Sequence, residues 1–149
     1  MNTLFDKKLN EQIIERINHL SPTSRKEWGK MSVSQMLAHC SVVLETTIGD
    51  KKVKRDFLGF LFGRIALKQA LNDKPFKKNV PTSKSFTIKD DGDFEKEKIK
   101  LISLVKKFAE LGAGNIGDNP HPFFGKVTPE ERGNLQWKHL DHHLRQFGV

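Results

Sequence analysis

Four stretches of this chain repeat apolar residues at three- and four-residue spacing, a period that belongs to helices buried on one face. Leu9, Ile13, Ile17 and Leu20 mark the first, over about residues 5–19. Ser21-Pro22-Thr23-Ser24 ends it, because proline lacks the amide a helix needs. Ser32-Val33-Ser34-Gln35 is a capping box that opens the second helix. Val33, Met36, Leu37, Cys40, Val43 and Leu44 form its inward stripe, and Gly49-Asp50 stops it. Asp93 suits the N-cap of the third, whose apolar face runs through Ile99, Ile102, Val105, Phe108 and Ala109 to an end near Gly112. Thr128-Pro129-Glu130-Glu131 opens the last, which runs to about Phe147 before Gly148. Residues 57–71 read as an extra helical segment, irregular because of Gly59 and Gly63. Residues 85–89 alternate as a strand would, too briefly to count. The fold class is all-α.

At 149 residues the chain suits one domain, residues 1–149, with one core. Its single cysteine, Cys40, excludes an internal disulfide and fits a reducing compartment. The first ten residues lack the basic-then-apolar pattern of a signal peptide. The most apolar stretch, residues 57–71, is broken by Gly59, Gly63, Arg64, Lys68 and Gln69, so it does not span a bilayer. These features predict a cytoplasmic protein with no membrane partner. The net charge is +8, but the basic residues lie in small clusters without aromatic interleaving, and tyrosine is absent. Specific nucleic-acid binding is not expected.

The chemistry concentrates in the last helix, in Trp137-Lys138-His139-Leu140-Asp141-His142-His143-Leu144. His139 and His143 are four residues apart, which stacks them on one helical face with Cβ atoms about 6 Å apart. Leu135, Leu140, Leu144 and Phe147 flank the pair, and His142 is rotated away. Two imidazoles so placed can reach one metal ion, though backbone carbonyls or water can satisfy them equally. A third ligand must come from another helix. His19, His39 and His121 are the candidates. His39 sits mid-helix at the edge of an apolar stripe, where an unpaired imidazole is costly. It is the best geometric choice, and spacing alone leaves the others open.

The run Met31-Ser32-Val33-Ser34-Gln35-Met36-Leu37-Ala38-His39, with the terminal His139-x-x-x-His143, resembles the DinB-like superfamily of metal-binding four-helix bundles. The Trp28 to Ser32 segment, the His121 to Gly125 loop and the chain from Lys138 to Gly148 are similar to an uncharacterised branch of it. The resemblance covers almost the whole chain. It implies an up-down-down-up four-helix bundle, with residues 57–71 as an extra helix in a long crossover. It also implies one divalent ion, zinc, nickel or iron, on His39, His139 and His143.

Three neutral imidazoles leave coordination positions open, as in catalytic sites. Some members of the superfamily are thiol-dependent transferases or isomerases, and others resemble hydrolases. The expected function is therefore a metal-dependent thiol transferase or related small-molecule enzyme, with a small thiol or substrate as partner and a homodimer allowed. The alternatives are a metal-dependent hydrolase, a non-catalytic metal-binding or stress-response module, and a structural metal. No catalytic base stands out. Glu45 and Asp141 point away from the histidines, Gln35 is a candidate to support His39 from one turn before it, and Cys40 reads as a core residue. The loop over residues 112–126 is expected to border the site.

Overall fold

Every α-helix in this protein begins at a residue whose side chain accepts a hydrogen bond from a free backbone amide. Asp6, Ser32, Asp56, Asp93 and Thr128 do so in turn. Such caps are worth about 1 kcal/mol each. At Ser32 and Thr128 the reciprocal half of the capping box is formed as well, by Gln35 and Glu131. The structure, a computed structural model, describes residues 1–149. It holds α1 (Lys7–Asn18), α2 (Val33–Ile48), α3 (Phe57–Ala70), α4 (Phe94–Asn115) and α5 (Pro129–Gln146), with a single 3-10 turn at Lys84–Phe86. There is no strand. Residues 85–89 contribute to the 3-10 turn, and the one β-type pairing is an isolated bridge between His121 and Gly125.

Four of the helices share one core. α2 packs against α4 and α5, and α1 packs against the same two. Leu4, Ile13, Ile17, Met36, Leu37, Leu44, Val105, Phe108, Leu140 and Leu144 are all but inaccessible at its centre. Burying a side chain of this size contributes about 1.5–3 kcal/mol. Polar ties fix the helices against one another. Buried Asn10 donates to the carbonyls of Leu4 and Val105, at 3.1 and 2.9 Å. Arg16 pairs with Asp141 at 2.9 Å and also donates to the carbonyl of Val149. Lys98 donates to the carbonyls of Asn18 and Leu20 at the end of α1.

α4 departs from expectation at its C-terminal end. Gly112 leaves helical geometry, at φ 63° and ψ 175°, and the chain then resumes a helical course to Asn115. Glycine meets the break without a Cβ penalty, so the segment kinks where the sequence predicts a stop.

α3 lies outside the four-helix core. Its buried residues are Gly59, Gly63 and Leu67, spaced by four. The two glycines rest on the backbone of Phe123, and a Cβ at either position would collide with the Phe123 carbonyl. This explains the glycines that make the segment irregular in sequence. The loop beneath α3 is the one that carries His121.

Candidate metal centre

α2 and α5 carry His39, His139 and His143 into one cluster. One ring nitrogen from each lies within 4.8 Å of those of the other two, a set that can hold a metal ion. His39 and His143 are buried and His139 is nearly so. The Nε2 atoms of His39 and His139 are 3.0 Å apart. The ring centroids of the three residues are separated by 4.7 to 5.0 Å.

The hydrogen bonds behind the rings decide which nitrogens face inward. His39 Nδ1 lies 2.9 Å from the carbonyl oxygen of Phe86. A carbonyl only accepts, so Nδ1 carries the proton and Nε2 presents a lone pair. His143 Nδ1 is 2.8 Å from Gln146 Oε1. The Gln146 amide is oriented in turn, because its Nε2 donates to the carbonyl of Trp28 at 2.8 Å. His143 therefore donates through Nδ1 and also turns a bare Nε2 to the cluster. Ligand histidines are typically held in this way by an acceptor behind the ring. His139 has no such support, since its Nδ1 is buried without a hydrogen-bond partner.

All three rings are held neutral. Burial lowers the pKa of His39 against the opposing effect of the Phe86 carbonyl. Burial also lowers His143, to about 3, aided by the neighbouring His39 and resisted by Gln146. His139 falls well below the ordinary histidine value through burial and then through His143 and His39. Neutral imidazole is the form that binds metal. Two nitrogens each about 2.1 Å from one ion stand at most about 4.2 Å apart. The 3.0 Å between the Nε2 atoms of His39 and His139 falls within that span, whereas the 4.8 Å that bounds the full set exceeds it, so the rings would draw in around an ion. Three neutral imidazoles are a donor set that suits a divalent transition ion.

The remaining candidates fall elsewhere. His19 is the exposed C-cap of α1. His142 leaves the cluster and lies beside Trp28 and Phe76, at ring separations of 5.6 and 6.0 Å. His121 is not part of the triad. Its Nδ1 accepts from the amides of Phe123 and Phe124, both at 3.1 Å, and its ring stacks on Phe124 at 4.5 Å. The loop nonetheless borders the site. The His121 ring neighbours Phe86, whose carbonyl holds His39, and it is near enough to depress His139.

Gln35 does not support His39, contrary to expectation. Its Oε1 accepts from Ser32 and its Nε2 donates to the Lys89 carbonyl, so the capping box consumes the side chain. Asp141 points away, into ion pairs with Arg16 and Arg145, and Glu45 pairs with Lys100. Cys40 is fully buried, and burial raises its thiol pKa far out of the reactive range.

The sequence reading overlooked Gln146 and the Trp28-Gly29 turn. Gln146 lies three residues after His143 and so shares its face, a signal that was available. Gly29 has φ 82°, and a Cβ there would collide with the Gln146 amide. The backbone amide of Glu27 also donates to the Gln146 carbonyl at 2.7 Å. The Trp28-Gly29 turn thus serves to orient Gln146, which in turn orients His143.

Fold and site together define an all-α protein with a buried three-histidine cluster between two helices. Residues 3–148 match the model of a family described as "Protein of unknown function (DUF1569)", and the chain belongs to that family. No curated protein and no solved structure matches it.

Proposed function

We propose that the chain binds one divalent ion, zinc, nickel or iron, through His39, His139 and His143, and that the site serves a small-molecule enzyme of the thiol-transferase type. The observation that carries the metal reading is the pair of fixed tautomers. Phe86 and Gln146 each hold an Nδ1 proton, so that His39 and His143 turn unprotonated Nε2 atoms toward His139. When bound, a divalent ion on three neutral ligands supplies Lewis acidity and an affinity for anions such as thiolate. Asp141 and Glu45 are committed to ion pairs elsewhere, which suits a reaction in which a bound metal, rather than a carboxylate base, would displace the proton of a thiol.

The thiol reading rests on the likeness of the Met31 to His39 run and the His139, His143 pair to the DinB-like superfamily. We infer that the whole chain is one such domain, an up-down-down-up four-helix bundle. Contacts along the helices support this. Phe5 stacks on Phe108 while Lys98 reaches the far end of α1, so α1 and α4 run in opposite senses. Leu4 meets Gly133 and Arg16 meets Asp141, so α1 and α5 run alike. Glu45 meets Lys100 and Asp50 meets Lys107, so α2 runs with α4.

A second reading is a metal held without turnover, tying α2 to α5. The depth of the cluster favours it, since His39 and His143 are only 4% and 8% exposed. Hydrolysis is a third outcome of the same site.

The test is elemental analysis of protein purified without chelator, followed by cobalt substitution. About one ion per chain is expected, lost in each of His39→Ala, His139→Ala and His143→Ala. A small thiol added to the cobalt protein is expected to produce a sulfur-to-metal absorption band. Response to azide alone would favour hydrolysis. An inert spectrum would leave the structural role.

A further inference from the structure

The outer face of α3 is the most apolar exposed surface of the molecule. Phe57, Leu58, Phe60, Leu61, Phe62 and Ile65 fall within nine residues, and each is between 55% and 76% exposed. Soluble surfaces rarely gather large apolar groups so densely without a use for them. The helix has no choice of orientation, because Gly59 and Gly63 are pressed against the Phe123 backbone on the opposite side. Its Asp56 cap bonds Leu58, Arg64 donates to the Lys126 carbonyl at 2.8 Å, and the Asp56 amide donates to the Pro122 carbonyl. The apolar face is therefore built into the fold.

Charge identifies what covers it. Residues 51–78 contain nine lysines and arginines against Asp56 and Asp73, a net +7 out of the chain's +8. Lys51, Lys52 and Lys54 precede the helix, and Lys68, Lys77 and Lys78 follow its apolar stretch. A second copy of the chain docking face to face would bring two such charges together, which opposes association. A nucleic acid would match the charge but leave six apolar side chains wet. An anionic lipid surface satisfies both features, with phosphate and carboxylate headgroups around the basic residues and acyl chains beneath the phenylalanines. α3 has 14 residues and is about 21 Å long, shorter than a hydrocarbon core of about 30 Å. No helix of the protein is long and apolar enough to cross a membrane. The geometry is that of a helix lying in the interface plane.

We infer that α3 and its basic flanks dock the protein on anionic membrane surfaces, independently of what the histidine cluster does. This departs from the sequence-based expectation of no membrane partner. The test is flotation of the full chain with vesicles of phosphatidylcholine, alone or with about 30 mol% phosphatidylserine, at low salt. Binding to the anionic vesicles should exceed binding to the neutral ones at least about tenfold and should weaken as salt rises. The double variant Phe60→Ser, Leu61→Ser should lose about tenfold or more in partition coefficient, given the apolar area removed. Lys51→Glu with Lys52→Glu should lose a comparable amount. Both pairs are exposed, so helix content and melting temperature should be unchanged, which separates lost docking from lost folding. Equal binding to both vesicle types, no binding to either, or undiminished binding by the Phe60, Leu61 variant would each overturn the inference. So would a monomer–dimer equilibrium in sedimentation that the same variant abolishes, since the face would then belong to a second copy.

Discussion

Gln146 bridges His143 and Trp28, accepting from the imidazole Nδ1 at 2.8 Å and donating to the backbone carbonyl at 2.8 Å. The bridge sets the His143 tautomer from behind the ring, on the side away from the other two histidines. Gln146→Ala should weaken metal binding by about 10–100-fold, the usual cost of losing an orienting partner. Gln146→Leu should behave alike, since it fills the space without an acceptor. Calorimetric titration with zinc reads the affinity directly. An unchanged affinity in both variants would show that His143 needs no orientation.

Metal removal should destabilise the fold, because the three histidines proposed to hold the ion come from two helices, with His39 and His139 a hundred residues apart in sequence. An ion present at about 100 times its dissociation constant contributes about 2.7 kcal/mol. For a chain of this size that corresponds to roughly 5–10 °C in melting temperature. Chelator should lower the melting temperature of the wild type and of His142→Ala by that amount. His139→Ala should not respond to chelator at all. A response that His142→Ala loses and His143→Ala keeps would mean that the other histidine is the ligand.

Much of this arrangement was legible in the sequence. Helix caps are local, so Ser32, Asp93 and Thr128 could be read directly, and all three cap as expected. The His139, His143 pair was legible because four-residue spacing survives any tertiary context that keeps the helix. His39 was harder, since its meeting with α5 depends on how two distant helices pack. The carbonyls of Phe86 and Trp28 were not legible at all, because every residue has a carbonyl and only the fold decides which one faces an imidazole. Gln35 misled for a related reason: a glutamine one turn from His39 can support the imidazole or complete its own cap, and here it caps. The exposed face of α3 was not legible, because an apolar run can be read as a helix without showing which side of it the rest of the fold covers.

Packing of α3 on the His121 loop makes a contrast between two glycines. Alanine in a helix interior is ordinarily favoured over glycine by up to about 1 kcal/mol. At Gly63 a Cβ would meet the Phe123 carbonyl, whereas at Gly114 nothing lies within 4 Å. Gly63→Ala should therefore destabilise the protein by about 1–2 kcal/mol, as overpacking does, and should speed amide exchange at Phe123 and Phe124. Gly114→Ala should be neutral or slightly stabilising. Denaturant titration of the two variants decides the matter, and equal effects would mean that α3 does not rest on that loop.

His121 should make the fold acid-labile in a way that can be isolated. Burial, helped by the nearby Arg132 guanidinium, lowers its pKa to about 4. In the unfolded chain a histidine titrates near pH 6.5. Between those values the unfolded state binds a proton that the folded state refuses, so stability falls as pH drops. The contribution is fully present above about pH 6.5 and levels off below about pH 4, with a loss of roughly 3 kcal/mol over the window. The triad histidines add to the same slope, so removing His121 should reduce the pH dependence without abolishing it. The variant must keep the acceptor that ties down the Phe123 and Phe124 amides. His121→Asn does so, since a carboxamide oxygen two and three residues ahead of those amides makes an ordinary Asx turn. Unfolding free energy measured in urea at pH 7.5, 6, 5 and about 4.5 should fall less steeply for His121→Asn than for the wild type. Parallel curves would show that His121 is already protonated in the fold, which its two accepted hydrogen bonds at Nδ1 do not allow.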